Sequence, residues 1–365
     1  MRVLDLDLRD FRSHHRLHLK PGASLTVIAG PNGSGKTNIL EALHFGLTGT
    51  SCRAAMDRQT IAWKESTTRV EVGFENKSVV HTTAVALQRS GEKLTTLDGA
   101  APERFEAGLD RPAVLVFLPD RLSLITGSPT ERRSHFDQLT ASLDHTSAAM
   151  KASYTRALTQ RNALLGSAQR SGSTPTSLSA WNEQLTELGT GLIRSRDETV
   201  EALSEPIAEA AVSLGLTGEL VLTHRPGGAR DPDTFRSELE ERTQQDINRG
   251  FTGYGPHRAE FIFKREGHDL KSTGSQGEKR MALLSLLLAE RELITQRTGT
   301  TPLLLLDDVM SELDADRRQF LTNTVYGVGQ CVITATEFEH VPAPKDDAVV
   351  LIALGQPPEE ELRAA

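Results

Sequence analysis

The spacing of apolar residues along the first third of the chain is that of β-strands. Leu and charged residues alternate over 1–8, which is typical of a half-exposed strand. The run AVLVFL is continuously apolar and predicts a strand that is buried on both faces. The strand-like segments after the first sixty residues are 69–74, 79–87, 93–97 and 113–118.

From about residue 131 the apolar spacing becomes helical, and a breaker rich in Ser, Gly and Thr interrupts it at 167–177. The spacing resumes over 178–192 and again over 200–214. Two helices of about 35 residues joined by a short loop would form an antiparallel hairpin about 50 Å long. We favour an arm with an internal seam and a polar outer face over a helical subdomain packed on itself.

Strand-like spacing returns in the last part of the chain, which predicts an α/β head split by a helical insert. The predicted organisation is an N-terminal part of the head at 1–130, a helical arm at 131–250 and a C-terminal part of the head at 251–365. The returning strands are 219–223, 261–263, 302–308, 330–336 and 348–354.

A P-loop motif follows the strand-like segment SLTVIA and precedes a helix-like segment. In such a loop, backbone N–H groups converge on phosphate oxygens, and the following helix presents its positive N-terminus to them. Lys36 is predicted to reach the β- and γ-phosphates and Thr37 to ligate Mg²⁺, so the sequence predicts ATP binding. The motif consists of Gly30, Pro31, Asn32, Gly33, Ser34, Gly35, Lys36 and Thr37.

A second acidic motif, LLLLDD at 303–308, has the form of a Walker B strand. Its apolar residues predict a buried strand whose end delivers a carboxylate to the Mg²⁺ shell. Asp307 is the predicted metal-side residue. Asp308 stands where a general base would orient the attacking water.

Upstream of this strand, Ser275 and Glu278 have the spacing of a capping box. Together with Gly277 they also match the S-x-G-[QE] core of an ABC-type signature, a helix N-terminus suited to a γ-phosphate. Asp314 then lies in a D-loop pattern after the Walker B strand. In ABC-type ATPases the signature of one subunit completes the site of the other, so the motifs predict an ATP-dependent homodimer.

Composition sets the broad class of the protein. With 38% hydrophobic and 25% charged residues, the chain of 365 residues is expected to be globular. No apolar run approaches the ~18 residues of a membrane span, and Cys52 and Cys331 form no metal or disulfide pattern, which favours a cytoplasmic location. The net charge of −8 does not indicate a nucleic-acid-binding protein, but a local basic face could still bind nucleic acid.

The chain resembles the RecF family of bacterial recombination-mediator ATPases along nearly its whole length. The resemblance rests on LRDFRS at 8–13, GPNGSGKTNILEAL at 30–43, FLPDRL at 117–122 with GSP and RR downstream, and GPHR at 255–258. It implies a head like that of structural-maintenance-of-chromosomes (SMC) ATPases with a short arm. It also implies ATP-dependent dimerisation at DNA gaps or single-strand/double-strand junctions and slow DNA-stimulated ATP hydrolysis. The implied partners are RecR and RecO, which cooperate in loading RecA onto single strands.

Two departures predict slow turnover. Asp308 replaces the usual Glu, and no histidine stands at the end of the 330–336 strand, where Thr334 or Thr336 occupies the region of the transporter switch histidine. The alternatives are a nucleotide-binding subunit of an ABC transporter, another SMC-like ATPase, or a module that only binds ATP.

Four further groups of residues have both a structural and a functional interpretation. Arg12 could contact phosphate or be a strand-end charge, and Arg132 with Arg133 could contact DNA or form a solvated helix face. His257 and Arg258 fit a structural corner better than a functional site. The histidines at 14, 15 and 18 indicate an exposed hairpin, because no other metal ligands accompany them.

Overall fold

The computed structural model describes residues 1–101, 112–173 and 175–355. The chain divides into two compact units. Unit 1 comprises Met1–Arg121, Ser213–Gly215 and Arg291–Ala365, and unit 2 comprises Leu122–Val212 and Leu216–Glu290.

Unit 1 contains two five-stranded sheets, one antiparallel and one parallel. The antiparallel sheet is formed by β1 (Arg2–Phe11), β2 (His14–Leu19), β4 (Thr67–Asn76), β5 (Val79–Gln88) and β6 (Lys93–Leu97) in the order β2-β1-β4-β5-β6. The parallel sheet is formed by β3 (Leu25–Ala29), β7 (Val114–Phe117), β11 (Leu303–Leu306), β12 (Cys331–Ala335) and β13 (Val349–Ala353) in the order β13-β3-β12-β11-β7. All strands predicted in this unit are confirmed.

The core of unit 1 is built around the helix that follows the P-loop, α1 (Lys36–Thr48). This helix packs on strands of both sheets, and its apolar residues are buried in one cluster with theirs. Gly46 permits the close approach to β4, because a Cβ at this position would lie 2.5 Å from Cγ2 of Val72. The packing holds the start of α1 in a fixed place at the edge of the parallel sheet. Unit 1 also contains α10 (Ala315–Val325), which the sequence did not predict.

Unit 2 combines helices with a three-stranded antiparallel sheet, β10-β9-β8. Its strands are β8 (Leu220–Arg225), β9 (Glu260–Arg265) and β10 (His268–Asp269). Its helices are α2 (Ser123–Thr126), α3 (Pro129–Leu143), α4 (His145–Ser171), α5 (Leu178–Ser213), α6 (Pro232–Glu241), α7 (Thr243–Arg249) and α8 (Leu270–Thr273). Helix α9 (Gln276–Thr298) contributes residues to both units.

The first predicted long helix is two helices, α3 and α4. The break is at Asp144, whose backbone is extended (φ −139°, ψ 107°) and whose carboxylate accepts a hydrogen bond from the N–H of Thr146 at 3.0 Å. Asp144 thus acts as an N-cap, a role that Asp fills because its carboxylate satisfies a free N–H of the first turn. The expectation of one unbroken helix over this region is wrong.

Helices α4 and α5 run antiparallel, as predicted. The middle of α4 packs beside the middle of α5, with Tyr154 and Leu192 in one buried cluster, and the end of α4 packs beside the start of α5, with Leu165 and Leu178 in another. Phe235 of α6 belongs to the first of these clusters. The long helices therefore share their core with α6 and do not form a hairpin packed only on itself.

Among the described residues, no helix is both long enough and apolar enough to span a membrane.

Candidate nucleotide-binding site

Three segments that carry predicted site residues meet at the carboxyl edge of the parallel sheet. Ala29 at the end of β3 pairs with Ala335 at the end of β12, and Leu306 at the end of β11 pairs with Ile333. Because parallel strands end at one edge, the P-loop after β3 and Asp307 after β11 are brought together there although 270 residues separate Thr37 from Asp307.

The P-loop turns into α1 through two glycines with left-handed backbone conformations. Gly33 has φ +84° and Gly35 has φ +91°, a region that L side chains rarely adopt. At Gly35 there is also no space, because a Cβ would lie 2.5 Å from Nε2 of His14 and 2.8 Å from Oγ of Ser13. The N–H groups of Asn38 and Ile39 donate to the carbonyl oxygen of Gly35 and begin the helix.

The Lys36 side chain lies inside the loop. Its Nζ donates to the carbonyl oxygens of Gly30 at 2.6 Å and Pro31 at 3.0 Å. Burial lowers the pKa of Lys36, while the nearby carboxylates of Asp308 and Asp307 act in the opposite direction. The Oγ atom of Ser34 is buried and has no hydrogen-bond partner among the described residues. An ammonium group and an unsatisfied hydroxyl in a glycine-rich loop fit a phosphate ligand.

The oxygen atoms opposite the P-loop that could ligate a metal ion form one hydrogen-bonded network. The hydroxyl of Thr37 donates to both carboxylate oxygens of Asp307 at 2.9 Å, and the hydroxyl of Thr334 donates to Asp307 Oδ1 at 2.7 Å. Burial raises the pKa of Asp307, and these hydrogen bonds partly oppose that increase. A buried carboxylate beside a threonine hydroxyl is an oxygen donor set of the kind that Mg²⁺ prefers.

Asp308 has a strained backbone at this edge. Its φ of 47° and ψ of 26° place it in the left-handed region, and its N–H donates to Oγ1 of Thr334 at 2.9 Å. Non-glycine residues in this region cost about 1–3 kcal/mol and are held by surrounding structure. Thr334 therefore positions both acidic residues, one through the Asp307 carboxylate and one through the Asp308 N–H.

Thr336, which directly follows β12, has a histidine partner that the sequence analysis missed. Nδ1 of His340 lies 3.1 Å from Oγ1 of Thr336. The histidine follows the strand by several residues, so a search at the strand end did not find it. A Thr-x-x-x-His spacing after the last buried residue is the signal that could have identified it.

The sequence analysis also missed a buried carboxylate on α1. Glu41 is fully buried and accepts two hydrogen bonds from the Arg12 guanidinium at 2.8 and 2.9 Å. Arg53 lies 3.5 Å from the same carboxylate, and its positive charge also opposes the increase in the pKa of Asp307 that burial causes. Arg12 is thus an ion-pair partner of Glu41 and not a solvated strand-end charge.

The signature residues lie in unit 2, at the start of α9. The N–H of Ser275 donates to Oε2 of Glu278 at 2.7 Å, and the N–H of Glu278 donates to Oγ of Ser275 at 3.3 Å, which completes the predicted capping box. The hydrogen bond from Ser275 is the main cause of the lowered pKa of Glu278. A Cβ added to Gly277 would meet nothing within 4 Å, so this helix N-terminus is open.

Asp314 has a structural role in unit 1 as the N-cap of α10. Its carboxylate accepts a hydrogen bond from the N–H of Arg317 at 2.9 Å and lies 3.5 Å from the Arg317 guanidinium. This is the local geometry expected of a capping Asp.

Arg132 and Arg133 have different environments in unit 2. Arg132 is buried and forms an ion pair with Glu260 at 2.6 Å, so the hypothesis that it contacts DNA is wrong. Arg133 donates to the carbonyl oxygen of Ala259 and to Oγ1 of Thr130. His257 is a structural corner, as predicted: its Nδ1 lies 2.8 Å from the Tyr154 hydroxyl, while Arg258 stacks over a phenylalanine ring.

The histidine-rich hairpin differs from the expectation in one respect. His15 is accompanied by Asp10 and Glu65, whose ligand atoms all lie within 4.8 Å of one another, so the statement that no other metal ligands are present is wrong. His14 instead lies against the P-loop, with Nε2 3.1 Å from the carbonyl oxygen of Gly35. This cluster, in which His15 is exposed and Asp10 and Glu65 are half-buried, does not include residues of the nucleotide site.

Comparison with known sequences identifies relatives of the whole chain. Residues 5–188 match the family model of an AAA domain. The DNA replication and repair protein RecF of Chlorobium phaeobacteroides (strain BS1) is 31% identical over 347 residues, which cover 92% of this chain and 96% of that protein. The RecF protein of Desulforamulus reducens is 34% identical over 347 residues, which cover 92% of each chain.

Comparison with solved structures gives the same result for the fold. The structure of the recombination mediator protein RecF–ATPrS in the RecFOR pathway has a TM-score of 0.81 and 25% identity and covers 95% of this chain and 97% of its own. The corresponding RecF–ATP structure has a TM-score of 0.83 at 24% identity. An Smc head bound to the C-winged helix domain of ScpA has a TM-score of 0.54 at 18% identity. The architecture is therefore that of an ABC/SMC-type P-loop ATPase head with a helical insert lobe.

Proposed function

The chain belongs to the RecF family of DNA replication and repair proteins, and we propose that it is an ATP-dependent recombination mediator that acts on gapped or junction DNA. The observation that carries this proposal is the contact between Thr37 and Asp307 beside the P-loop, in a chain that matches RecF proteins over nearly its full length. The solved relatives named with ATP and ATPrS support the choice of nucleotide.

In the proposed ATP-bound state, Lys36 leaves its two carbonyl acceptors and contacts the β- and γ-phosphates. The N–H groups of the P-loop and the hydroxyl of Ser34 contact the remaining phosphate oxygens. Thr37 and Asp307 would hold Mg²⁺, which supplies charge neutralisation for phosphoryl transfer when it is bound. Thr334 keeps the Asp307 carboxylate in place by its 2.7 Å hydrogen bond.

The open start of α9 supports a homodimer. Ser275 and Gly277 are exposed, and their helix N-terminus has free N–H groups and a partial positive charge. In the proposed dimer, this N-terminus of one copy contacts the γ-phosphate held by the P-loop of the other copy. ATP then joins the two copies, and hydrolysis separates them.

Hydrolysis is proposed to be slow and DNA-stimulated. Asp308 has a shorter side chain than the Glu usual at this position, and its carboxylate is carried by a backbone fixed at φ 47°. A general base that reaches less far orients the attacking water less well. In such a slow enzyme, the rate of hydrolysis would determine how long the ATP-bound dimer stays on DNA.

The partners follow from the family. Relatives take part in the RecFOR pathway, and we propose that this chain cooperates with RecR and RecO to load RecA onto single-stranded DNA at gaps.

Analytical ultracentrifugation of the full chain tests this proposal, with and without ATP and Mg²⁺ and with an intact or a gapped duplex. We expect a monomer without nucleotide, a dimer with ATP, and a larger complex when the gapped duplex is added. An unchanged sedimentation coefficient with ATP would exclude the nucleotide-driven dimer. Equal binding of intact and gapped duplexes would exclude the preference for gaps.

A further inference from the structure

A cavity of about 320 Å³ lies within unit 2, and none of its lining residues belongs to the nucleotide motifs. Helices α3, α4 and α5 and the turn at 255–258 form its walls. The RR and GPHR motifs each contribute one residue to it, Arg133 and His257. The complete lining is Thr130, Arg133, Ser134, Asp137, Lys151, Tyr154, Thr155, Leu158, Leu192, Arg196 and His257.

The charged groups of the lining leave an excess of positive charge. Asp137 is the one carboxylate among these residues, and three cations accompany it. Its oxygens accept from Arg196 at 2.7 and 2.8 Å and from Lys151 at 2.9 Å. The hydrogen bonds of Arg133 go to neutral oxygens, those of Ala259 and Thr130. The lining therefore has a net charge of +2.

The remaining polar groups on the wall are neutral. Burial lowers the pKa of His257 to about 4, and the positive charges of Arg258 and Arg133 contribute to the decrease. Neutral His257 lies with Nε2 3.0 Å from the carbonyl oxygen of Thr252 and with Nδ1 2.8 Å from the hydroxyl of Tyr154. Burial raises the pKa of Tyr154, so the hydroxyl keeps its proton. Neither group cancels the positive charge of the cavity.

The inner residues of the cavity are buried and held by hydrogen bonds, and its entrance is open to solvent. Arg196 and Tyr154 are only 3% exposed, and their positions are fixed by hydrogen bonds. The Lys151 side chain is 42% exposed and lies where solvent enters. Leu158 and Leu192 supply an apolar wall. An anion that enters from solvent would meet Lys151 and Arg133 first and would find space for a sugar or base beside the leucines.

We propose that this cavity binds a phosphate monoester, the group that ends a phosphorylated DNA strand, with Arg133 and Lys151 as its direct ligands. A monoester has a charge of about −1.5 to −2 at pH 7, which matches the two uncompensated positive charges, whereas a carboxylate or an internal phosphodiester has only one. The planar guanidinium of Arg133 suits phosphate oxygens because it can donate two parallel hydrogen bonds. The choice of a DNA end rests on the proposed function.

Fluorescence anisotropy with the full chain, ATP and a gapped duplex tests the proposal. Two pairs of gapped duplexes are compared, one pair for the 5′ end that borders the gap and one pair for the 3′ end. Within each pair, the duplexes differ only in whether that strand end carries a phosphate or a hydroxyl. We expect wild type to bind one phosphorylated duplex at least about 10-fold more tightly than its hydroxyl counterpart, since hydrogen bonds to charged groups contribute about that factor. Arg133→Gln and Lys151→Gln should remove the preference, while Arg133→Lys, which keeps the charge but loses the two parallel hydrogen bonds, should retain only part of it.

The matched control is Arg156→Ala. Arg156 is an exposed residue of α4 that does not line the cavity, and its removal changes the net charge equally. This variant should keep the full preference for a phosphorylated end. Equal loss in Arg156→Ala would show that only general charge matters and would overturn the site.

The outcomes separate the site from the proposed function. If wild type binds no DNA, the proposed function fails. If it binds phosphorylated and hydroxyl ends equally, or if Arg133→Gln keeps the preference, the DNA-end site is wrong. A thermal-shift titration with inorganic phosphate tests whether the ligand of the cavity is free phosphate and not a DNA end. Stabilisation of wild type but not of Arg133→Gln, without a preference for DNA ends, would identify free phosphate as the ligand.

Discussion

The two helix N-termini that carry the phosphate-binding motifs of this protein have opposite surroundings. The start of α1 in unit 1 is enclosed: Lys36 is only 7% exposed, and Thr37 is hydrogen-bonded to Asp307 from a distant part of the chain. The start of α9 in unit 2 is open: Ser275 and Glu278 satisfy each other, and the space around Gly277 is empty.

The difference shows which parts of the proposed site are complete within one chain. Here the first two residues of α1 supply a cation and a hydroxyl, and Asp307 after β11 supplies a carboxylate, which together form a phosphate and metal site. At α9, the capping box satisfies the helix locally and supplies no further ligand. A helix N-terminus of this kind contributes to catalysis only when another surface is brought to it. This comparison supports the proposed dimer and can be tested at each end.

The largest effect is expected at the enclosed end. Lys36→Ala removes the ammonium group inside the P-loop and should lower the affinity for ATP by about 100-fold, since a hydrogen bond to a charged group contributes up to about 3 kcal/mol. Isothermal titration calorimetry measures the affinity. Lys20→Ala, which removes an exposed lysine of the same unit, is the control and should bind ATP normally. Unchanged affinity in Lys36→Ala would contradict the P-loop assignment.

Asp307→Asn tests the metal side of the same end. The loss of one carboxylate charge should reduce ATP turnover by about 100-fold or more, since a metal ion supplies several kcal/mol of transition-state stabilisation. A phosphate-release assay measures turnover, and circular dichroism checks that the head remains folded. Turnover equal to that of wild type would show that Asp307 does not hold Mg²⁺.

Ser275→Arg tests the open end. A bulky cation at the start of α9 should leave the ATP affinity of one copy within about twofold, because the P-loop, Thr37 and Asp307 are unchanged, but should prevent the ATP-induced dimer. Light scattering reports the mass. Ser272→Arg, at an exposed position of α8, is the matched control and should still dimerise. An ATP-induced dimer of Ser275→Arg would refute the shared site.

The smallest effect concerns the stability of the nucleotide-free protein. Burial raises the pKa of Asp307, so the folded state binds a proton at this carboxyl more tightly than the unfolded state does. The corresponding stabilisation is present at low pH and is lost as the pH rises above the unfolded pKa of about 4 and through the raised folded value.

At pH 7, therefore, Asp307→Asn should raise the melting temperature of the nucleotide-free protein, because a neutral amide avoids the cost of burying a charged carboxylate. The difference should narrow as the pH is lowered towards 4. Differential scanning fluorimetry in EDTA measures both trends. A lower melting temperature for Asp307→Asn than for wild type at pH 7 would show that the charged carboxylate stabilises the fold.

Local pattern was sufficient for much of this molecule. Each strand of the parallel sheet was predicted because its residues are mostly apolar, with a single threonine in β3 and in β12, and the capping box at Ser275 was predicted because it involves only residues three positions apart. The P-loop was predicted for the same reason, since its chemistry lies in eight consecutive residues. Helices α6 and α7 were missed, because their polar, amphipathic segments become stable only when Phe235 of α6 and Ile247 of α7 pack against α4 and α5.

The sequence alone established the motifs, the strands that carry them and the family resemblance, because these depend on residues that are neighbours along the chain. It could not distinguish Arg132, buried against Glu260, from Arg133, which lines a cavity. Nor could it indicate that Glu41 holds Arg12 or that Thr334 supports both Asp307 and Asp308. Those pairings join residues far apart along the chain. Their burial and electrostatics are created only when the sheets and helices pack, and no local spacing records them.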